Sequence, residues 1–268
     1  MFVGKKVYVV SSPKTLEKTR AHFNCTSAPG MELEDEGGDA TAWSHWKRRN
    51  AKDELMAGIS GAGYYTALTM AAFEDMGFYR AQWDMAEQMP WGSNSGCDLL
   101  TQKCLTNGVT QYPEMFCEAT GNLLECTSDR LGLGICKIIG YDNPLPTQFQ
   151  YFRDSRLGGR SNDLMDYCPF IVSHKNTGCV DGDAHVMPGS RIGPRSRCLK
   201  TFYLRDLKGL TGDVCADVLC DNGTVSVRYL GDDAWHACPE GSGITPTGPM
   251  FRDGIILCPR RIEVCYVH

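Results

Sequence analysis

Fourteen cysteines in 268 residues are the strongest constraint on what this chain can fold into. The count is even, and no Cys-x-x-Cys occurs. The shortest gaps run from Cys97 to Cys104, Cys215 to Cys220 and Cys258 to Cys265. Zinc fingers and ribbons need two closely spaced cysteine pairs, so the spacing does not suit them. An even set of widely spaced cysteines suits disulfides formed in an oxidising, extracellular setting. Spacing alone leaves the connectivity open. Full pairing would leave no free thiol for a Cys–His nucleophile.

The remaining composition narrows the class. At 42% hydrophobic and 22% charged, with a net charge of −5, the chain can bury a core and is not disordered by composition. A mildly acidic chain is a poor nucleic-acid binder. Its one dense basic cluster, Lys47-Arg48-Arg49, reads as a solvated turn, and the acidic Glu32–Glu36 run reads as solvated too. No stretch approaches the roughly 18 apolar residues of a membrane span. The opening MFVGKKVYVVSSP has too short an apolar run for a signal peptide, and no apolar tail for a lipid anchor follows Cys265. Exported-type cysteines without an export signal suggest a piece of a longer protein, with Met1 an internal methionine. Asn24-Cys25-Thr26 and Asn222-Gly223-Thr224 are possible glycosylation sequons.

Periodicity gives a coarse α+β reading. Residues 6–10 (KVYVV) read as a strand. Ser12-Pro13 reads as the cap and first turn of a helix ending near Phe23, with Leu16 and Phe23 inward. Residues 63–76 read as a helix with Tyr65, Leu68, Ala72, Phe73 and Met76 on its buried face and Gly77 at its C-terminus. Residues 215–230 read as a hairpin turning at Asp221-Asn222-Gly223, and GIILC (254–258) and RIEVCYV (261–267) as strands.

None of the six histidines forms His-Glu-x-x-His or has another histidine three or four residues away. No Gly-x-Ser-x-Gly or phosphate loop occurs. His45, in SHWKRRNAKDELM (44–56), reads from its residues alone either as a metal ligand or as a loop histidine packed between Trp43 and Trp46.

That stretch, followed by GYYTALTMAAFEDMGFYRA (63–81), resembles the leishmanolysin family of surface zinc metalloproteases. The likeness continues through MPWGSNSGCDLLTQKC (89–104), VTQYPEMFC (109–117), LMDYCPF (164–170) and CPRRIEVC (258–265), covering essentially the whole chain. The resemblance implies a metzincin, in which His-Glu-x-x-His and a third histidine hold zinc above a methionine turn. It makes His45 the third zinc ligand and Met56 the turn methionine. After that methionine the sequence has Ala57-Gly58-Ile59 rather than a proline common in the family.

The helical histidines and the glutamate base are not in this sequence, so it carries no catalytic residue and one zinc ligand. The implied function is a zinc metalloendopeptidase, inactive as this chain alone; the alternative is a noncatalytic surface or secreted adhesion module. The implied architecture is a metzincin remnant at 1–101, followed by a β-rich, disulfide-stapled domain at 102–268. The implied disulfides are Cys25–Cys97, Cys104–Cys168, Cys117–Cys136, Cys126–Cys198, Cys179–Cys215, Cys220–Cys265 and Cys238–Cys258. The implied partners are protein or peptide substrates, host extracellular proteins among them, and the implied location is the cell surface or beyond.

Overall fold

The structure, a computed structural model, describes residues 5–265. It divides into two compact units. One runs to Ala119 and resumes over Lys137–Phe170; the other holds Thr120–Cys136 and everything from Ile171 onward. This division does not fall at residue 101, because buried side chains of residues 47–49 bond to backbone at 99, 102 and 163 and to the Asp166 carboxylate.

In the first unit, Val9–Val10 pairs antiparallel with Met31–Glu32. Of the expected strand 6–10 these two residues form the strand, and Tyr8 O accepts the Leu33 amide at 2.9 Å. Helix α1 spans Pro13–Phe23 and buries Thr15, Thr19 and Phe23, while Leu16 is half-buried. Ser12 has the extended backbone of an N-cap, but its hydroxyl bonds to Thr15 Oγ1 and caps no amide. The first-turn amides of Lys14 and Thr15 instead donate to the Asp75 carboxylate at 3.1 and 2.8 Å. Asp75 ends helix α2, which spans Ala67–Asp75, so one helix caps the other. Burial pushes the Asp75 carboxyl up, but bonds from Ser12, Thr15 and Lys14 outweigh it and bring it down to about 2.

Helix α2 starts later than periodicity suggested, at a Thr66 cap whose hydroxyl accepts the Leu68 amide. Its buried residues are Leu68, Thr69, Met70 and Ala71. Tyr65 and Met76, expected inside, are exposed, and Gly77 has the left-handed backbone expected of a helix terminator. The apolar stripe Ala72, Phe73 and Met76 faces a cavity instead of a core.

The second unit is mostly antiparallel strands. Its four-stranded sheet runs in the order His236–Ala237, Thr224–Arg228, Val214–Asp221, Ser196–Leu199. The expected hairpin is present: Asp221 pairs with Thr224 around Asn222 and Gly223, both at positive φ. A three-stranded sheet joins Gly243–Ile244, Phe251–Leu257 and Thr201–Asp206, and another joins Glu125–Cys126, Gly132–Cys136 and Ile171–Gly178. Alternation puts Val225, Val227 and Tyr229 inward with Val214, Ala216, Val218, Leu204 and Ile256. RIEVCYV is not a strand over its described part: Arg261–Val264 is a helical turn, and residues 266 and 267 lie outside the described residues. The buried Glu263 carboxylate accepts the Arg260 amide at 2.8 Å and pairs with Arg130 at 2.9 Å, which closes that turn.

The bridges Cys25–Cys97, Cys104–Cys168, Cys126–Cys198, Cys179–Cys215, Cys220–Cys265 and Cys238–Cys258 are formed, each a pairing the resemblance implies. Cys117 and Cys136 are disulfide-bonded as well. Cys104–Cys168 lies within the first unit, so that unit holds more than one staple. Among the described residues no helix is long and apolar enough to cross a membrane.

Candidate functional site

The segment 43–47 runs beside 32–34. The Lys47 amide donates to Glu32 O, the Glu34 amide to His45 O, and the Trp43 amide to Glu34 O, at 2.8–2.9 Å. Trp43 sits at φ 67°, a left-handed conformation that is uncommon for a bulky residue. Its ring packs edge-on to Tyr8 rather than against His45. The sharp turn it makes sends the next residues, Ser44 and His45, into the wall of a cavity of about 420 Å³.

Met56 lines the same cavity, with Trp46, the α2 side chains Thr69, Ala72 and Phe73, and Met76 just past the end of α2. The structure therefore brings His45 and Met56 together, joined by a 2.8 Å bond from the Trp46 amide to Met56 O. The walls are mostly apolar apart from the histidine, the hydroxyls and Asp75.

The His45 ring is half-buried and oriented. Its Nδ1 lies 2.9 Å from Ser44 Oγ and 3.2 Å from Thr41 O. With the Ser44 hydroxyl donating to Thr41 O at 3.1 Å, the tautomer that carries the ring proton on Nδ1 satisfies both of its contacts. In that tautomer Nε2 holds the lone pair. An imidazole that donates one N–H to a backbone carbonyl and offers the other nitrogen is the arrangement of a metal-bound histidine. Gly58 packs against the same Thr41: a Cβ there would stand 2.4 Å from Thr41 Cγ2 and 2.9 Å from Leu164 Cδ1.

The basic and acidic runs are not solvated. Lys47 and Arg49 are fully buried, Arg48 is 6% exposed, and Glu34 is fully buried. Lys47 Nζ meets Glu34 Oε1 at 2.7 Å and Asp35 and Asp166 at 2.8 Å. Burial alone would lower the Lys47 pKa; Asp166, Glu34, Glu36 and Asp35 drive it well above its ordinary value. Arg48 donates to Asp163 O and lies over the Phe170 ring, and Arg49 donates to Leu99 O and Gln102 O. The run that reads as a surface loop is the anchor of the His45 loop. Burial, helped by the nearby Asp166 charge, raises the Glu32 carboxyl to about 7 against the pull of Lys47 and Arg49.

One imidazole cannot fix a zinc ion; a catalytic site needs three protein ligands and an open position. Among the described residues, the cluster with three potential donors is Cys126, Cys198 and Asp213. Its two sulfurs are joined to each other, and the Asp213 oxygens accept the Cys126 and Thr201 amides, so it is structural. His45 fits the role of one ligand, and among the described residues no second or third ligand groups with it. Asn24, exposed at the left-handed end of α1, and Asn222, exposed at the hairpin turn, present their side chains outward. The sequence reading did not reach Thr41, Ser44 or Glu54; the signal available was their spacing of a few residues from His45 and Met56.

The family model for leishmanolysin matches residues 2–268. The chain is 40% identical to a leishmanolysin homolog of Crithidia fasciculata, over 97% of this chain and 42% of that protein. It is 39% identical to leishmanolysin of Leishmania major, over 97% of this chain and 45% of that protein. A leishmanolysin-like peptidase of Caenorhabditis elegans is 26% identical over 97% of this chain and 46% of its own length. The chain thus spans less than half the length of these relatives. The chain belongs to the leishmanolysin family of zinc metalloproteases.

Proposed function

We propose that this chain contributes the third zinc ligand, His45, and the supporting methionine turn, Met56, to a leishmanolysin-type endopeptidase centre. The observation that carries the reading is the His45 ring: Nδ1 lies within hydrogen-bond distance of Thr41 O and Ser44 Oγ, which leaves Nε2 for a metal, and His45 lines a cavity that Met56 also lines. Zinc, when bound, polarises the scissile carbonyl and lowers the pKa of attacking water. The work of this chain is to hold His45 in one tautomer and one orientation. Its apolar cavity wall, with Phe73 and Met76, would exclude water and receive part of a protein or peptide substrate. The remaining ligands and the glutamate base are not among these 268 residues, so this chain alone would be inactive.

The test is the native protein, isolated with an antibody to the Val214–Arg228 hairpin. Its intact mass, N-terminal sequence, zinc content and peptide-cleaving activity would be measured. The expected product is heavier than 29.6 kDa, holds one zinc, cleaves peptides and loses the metal on His45→Ala. A zinc-free product of 29.6 kDa would sink this reading and favour a noncatalytic surface or secreted module built on the same fold.

A further inference from the structure

A buried carboxylate, Glu54, stands where three segments of the His45 cavity meet. Glu54 is 1% exposed, and its partners Thr66, Thr69 and Trp46 are 3%, 2% and 6% exposed. Glu54 Oε1 accepts the Thr69 hydroxyl at 2.6 Å and the Thr66 hydroxyl at 2.9 Å. Glu54 Oε2 accepts the Met56 amide. Thr69 Oγ1 in turn accepts the Trp46 indole N–H at 2.8 Å. Met56 O accepts the Trp46 amide at 2.8 Å. Met56 is thus held at both backbone ends, its N–H by Glu54 and its C=O by Trp46. Trp46, the chain neighbour of His45, is held through its amide and through its indole.

The chemistry of the position is as informative as its geometry. A buried carboxylate costs free energy unless its charge is met. Here burial pushes the Glu54 carboxyl up, and the bonds from Thr69, Met56 and Thr66 pull it back. A neutral amide would cost less and would still fill the space. What the carboxylate alone offers is two acceptor oxygens with no donor, so the Thr69 and Thr66 hydroxyls and the Met56 and Thr66 amides can all point at it at once. A glutamine would turn an N–H₂ toward one of them. Thr69 Oγ1 has already accepted the indole, so its own proton must go to an acceptor.

We infer that Glu54 is a positioning residue of the His45–Met56 site: it fixes the methionine turn and, through Thr69 and Trp46, the direction in which His45 presents Nε2. The inference rests on the reading of His45 as a zinc ligand. It assigns Glu54 no contact with substrate or metal.

The experiment compares wild type, Glu54→Gln, Glu54→Ala and His45→Ala in the native protein that carries this chain. Four quantities are read: the exchange rate of the Met56 amide, the Trp46 indole and His45 ring resonances, the zinc dissociation constant by chelator competition, and the melting temperature. In Glu54→Ala, Met56 exchange rises at least tenfold, the two ring resonances move, and zinc binds roughly 10- to 100-fold more weakly, the range for lost outer partners of a ligand. Glu54→Gln recovers part of each, since its one oxygen can keep the Met56 amide. If the alanine variant does not fold, the glutamine variant carries the test, with an intermediate zinc constant and shifted His45 resonances expected. Wild-type exchange and resonances in both Glu54 variants would overturn the positioning role. Unchanged zinc affinity in His45→Ala would overturn the zinc reading instead, and the two failures are read from different signals.

Discussion

Lys47 Nζ has three carboxylates within 2.8 Å and no solvent exposure, so its charge and theirs depend on each other. Removing one partner of such a buried set leaves the others uncompensated, which costs about 3–5 kcal/mol. Lys47→Met should therefore lower unfolding stability by about that amount in urea titrations, whereas a solvated lysine would change it by less than about 0.5 kcal/mol. Glu32 beside it carries a pH signature. Its carboxyl is raised from 4.5 to about 7 in the folded state, so folding takes up a proton between those values. The stability this protonation provides is present below about pH 4.5 and is lost as pH rises toward 7. Glu32→Gln keeps the Asn50 bond of 2.8 Å and removes the titration. Relative to wild type, the variant should gain on the order of 3 kcal/mol between pH 4.5 and 8. A wild-type-to-variant difference that stays flat across that range would contradict the assignment. Resemblance to a family motif singled out His45 and Met56, which the structure puts on one cavity. The burial of Lys47, Arg48 and Arg49 was not, because a charged run reads as solvated until its counter-charges are located, and Asp163 and Asp166 lie more than a hundred residues away.

At the scale of elements, α1 and α2 depend on one carboxylate. Asp75 accepts two first-turn amides and the Thr15 hydroxyl of α1, replacing the cap that Ser12 was expected to give. Asp75→Ala should cost about 1–2 kcal/mol at neutral pH, the usual range for a lost cap. With the carboxyl held down to about 2, that stability is present above its ordinary pKa of 3.8 and is lost as pH falls through 2. The variant and wild type should accordingly converge in acid melts near pH 2. The helix existed in the sequence pattern, but its cap did not, since capping from 60 residues away leaves no local mark. The same reasoning covers α2. Its stripe Ala72, Phe73 and Met76 has helical spacing, yet spacing says only that side chains share a face, not that protein covers it. The Asn222-Gly223 hairpin was legible because its turn chemistry is local, and the 261–264 turn was not, because Glu263 is recruited by Arg130.

At the scale of the whole molecule, disulfides do much of the work that a larger core does elsewhere. Cys25–Cys97 closes a separation of 72 residues around α1, the His45 loop and α2. The double variant Cys25→Ser, Cys97→Ser should lose about 4 kcal/mol in the chain-entropy account, read from the fluorescence of the buried Trp46 and Trp91 during unfolding. A loss under about 1 kcal/mol would mean that the burial of residues 47–49 already restricts this loop. The sequence by itself determined an even, disulfide-type cysteine set, a strand-rich second half with a local hairpin, and a family motif that singles out His45 and Met56. Each of these is carried by residue identity or by short-range pattern. Only the tertiary structure decided where the charged runs go, which helix face is left to line a cavity, what orients the His45 ring, and that 137–170 belongs with the first unit. Those outcomes depend on contacts between residues far apart in the chain, whose free energies exceed local preference and leave no periodicity to read.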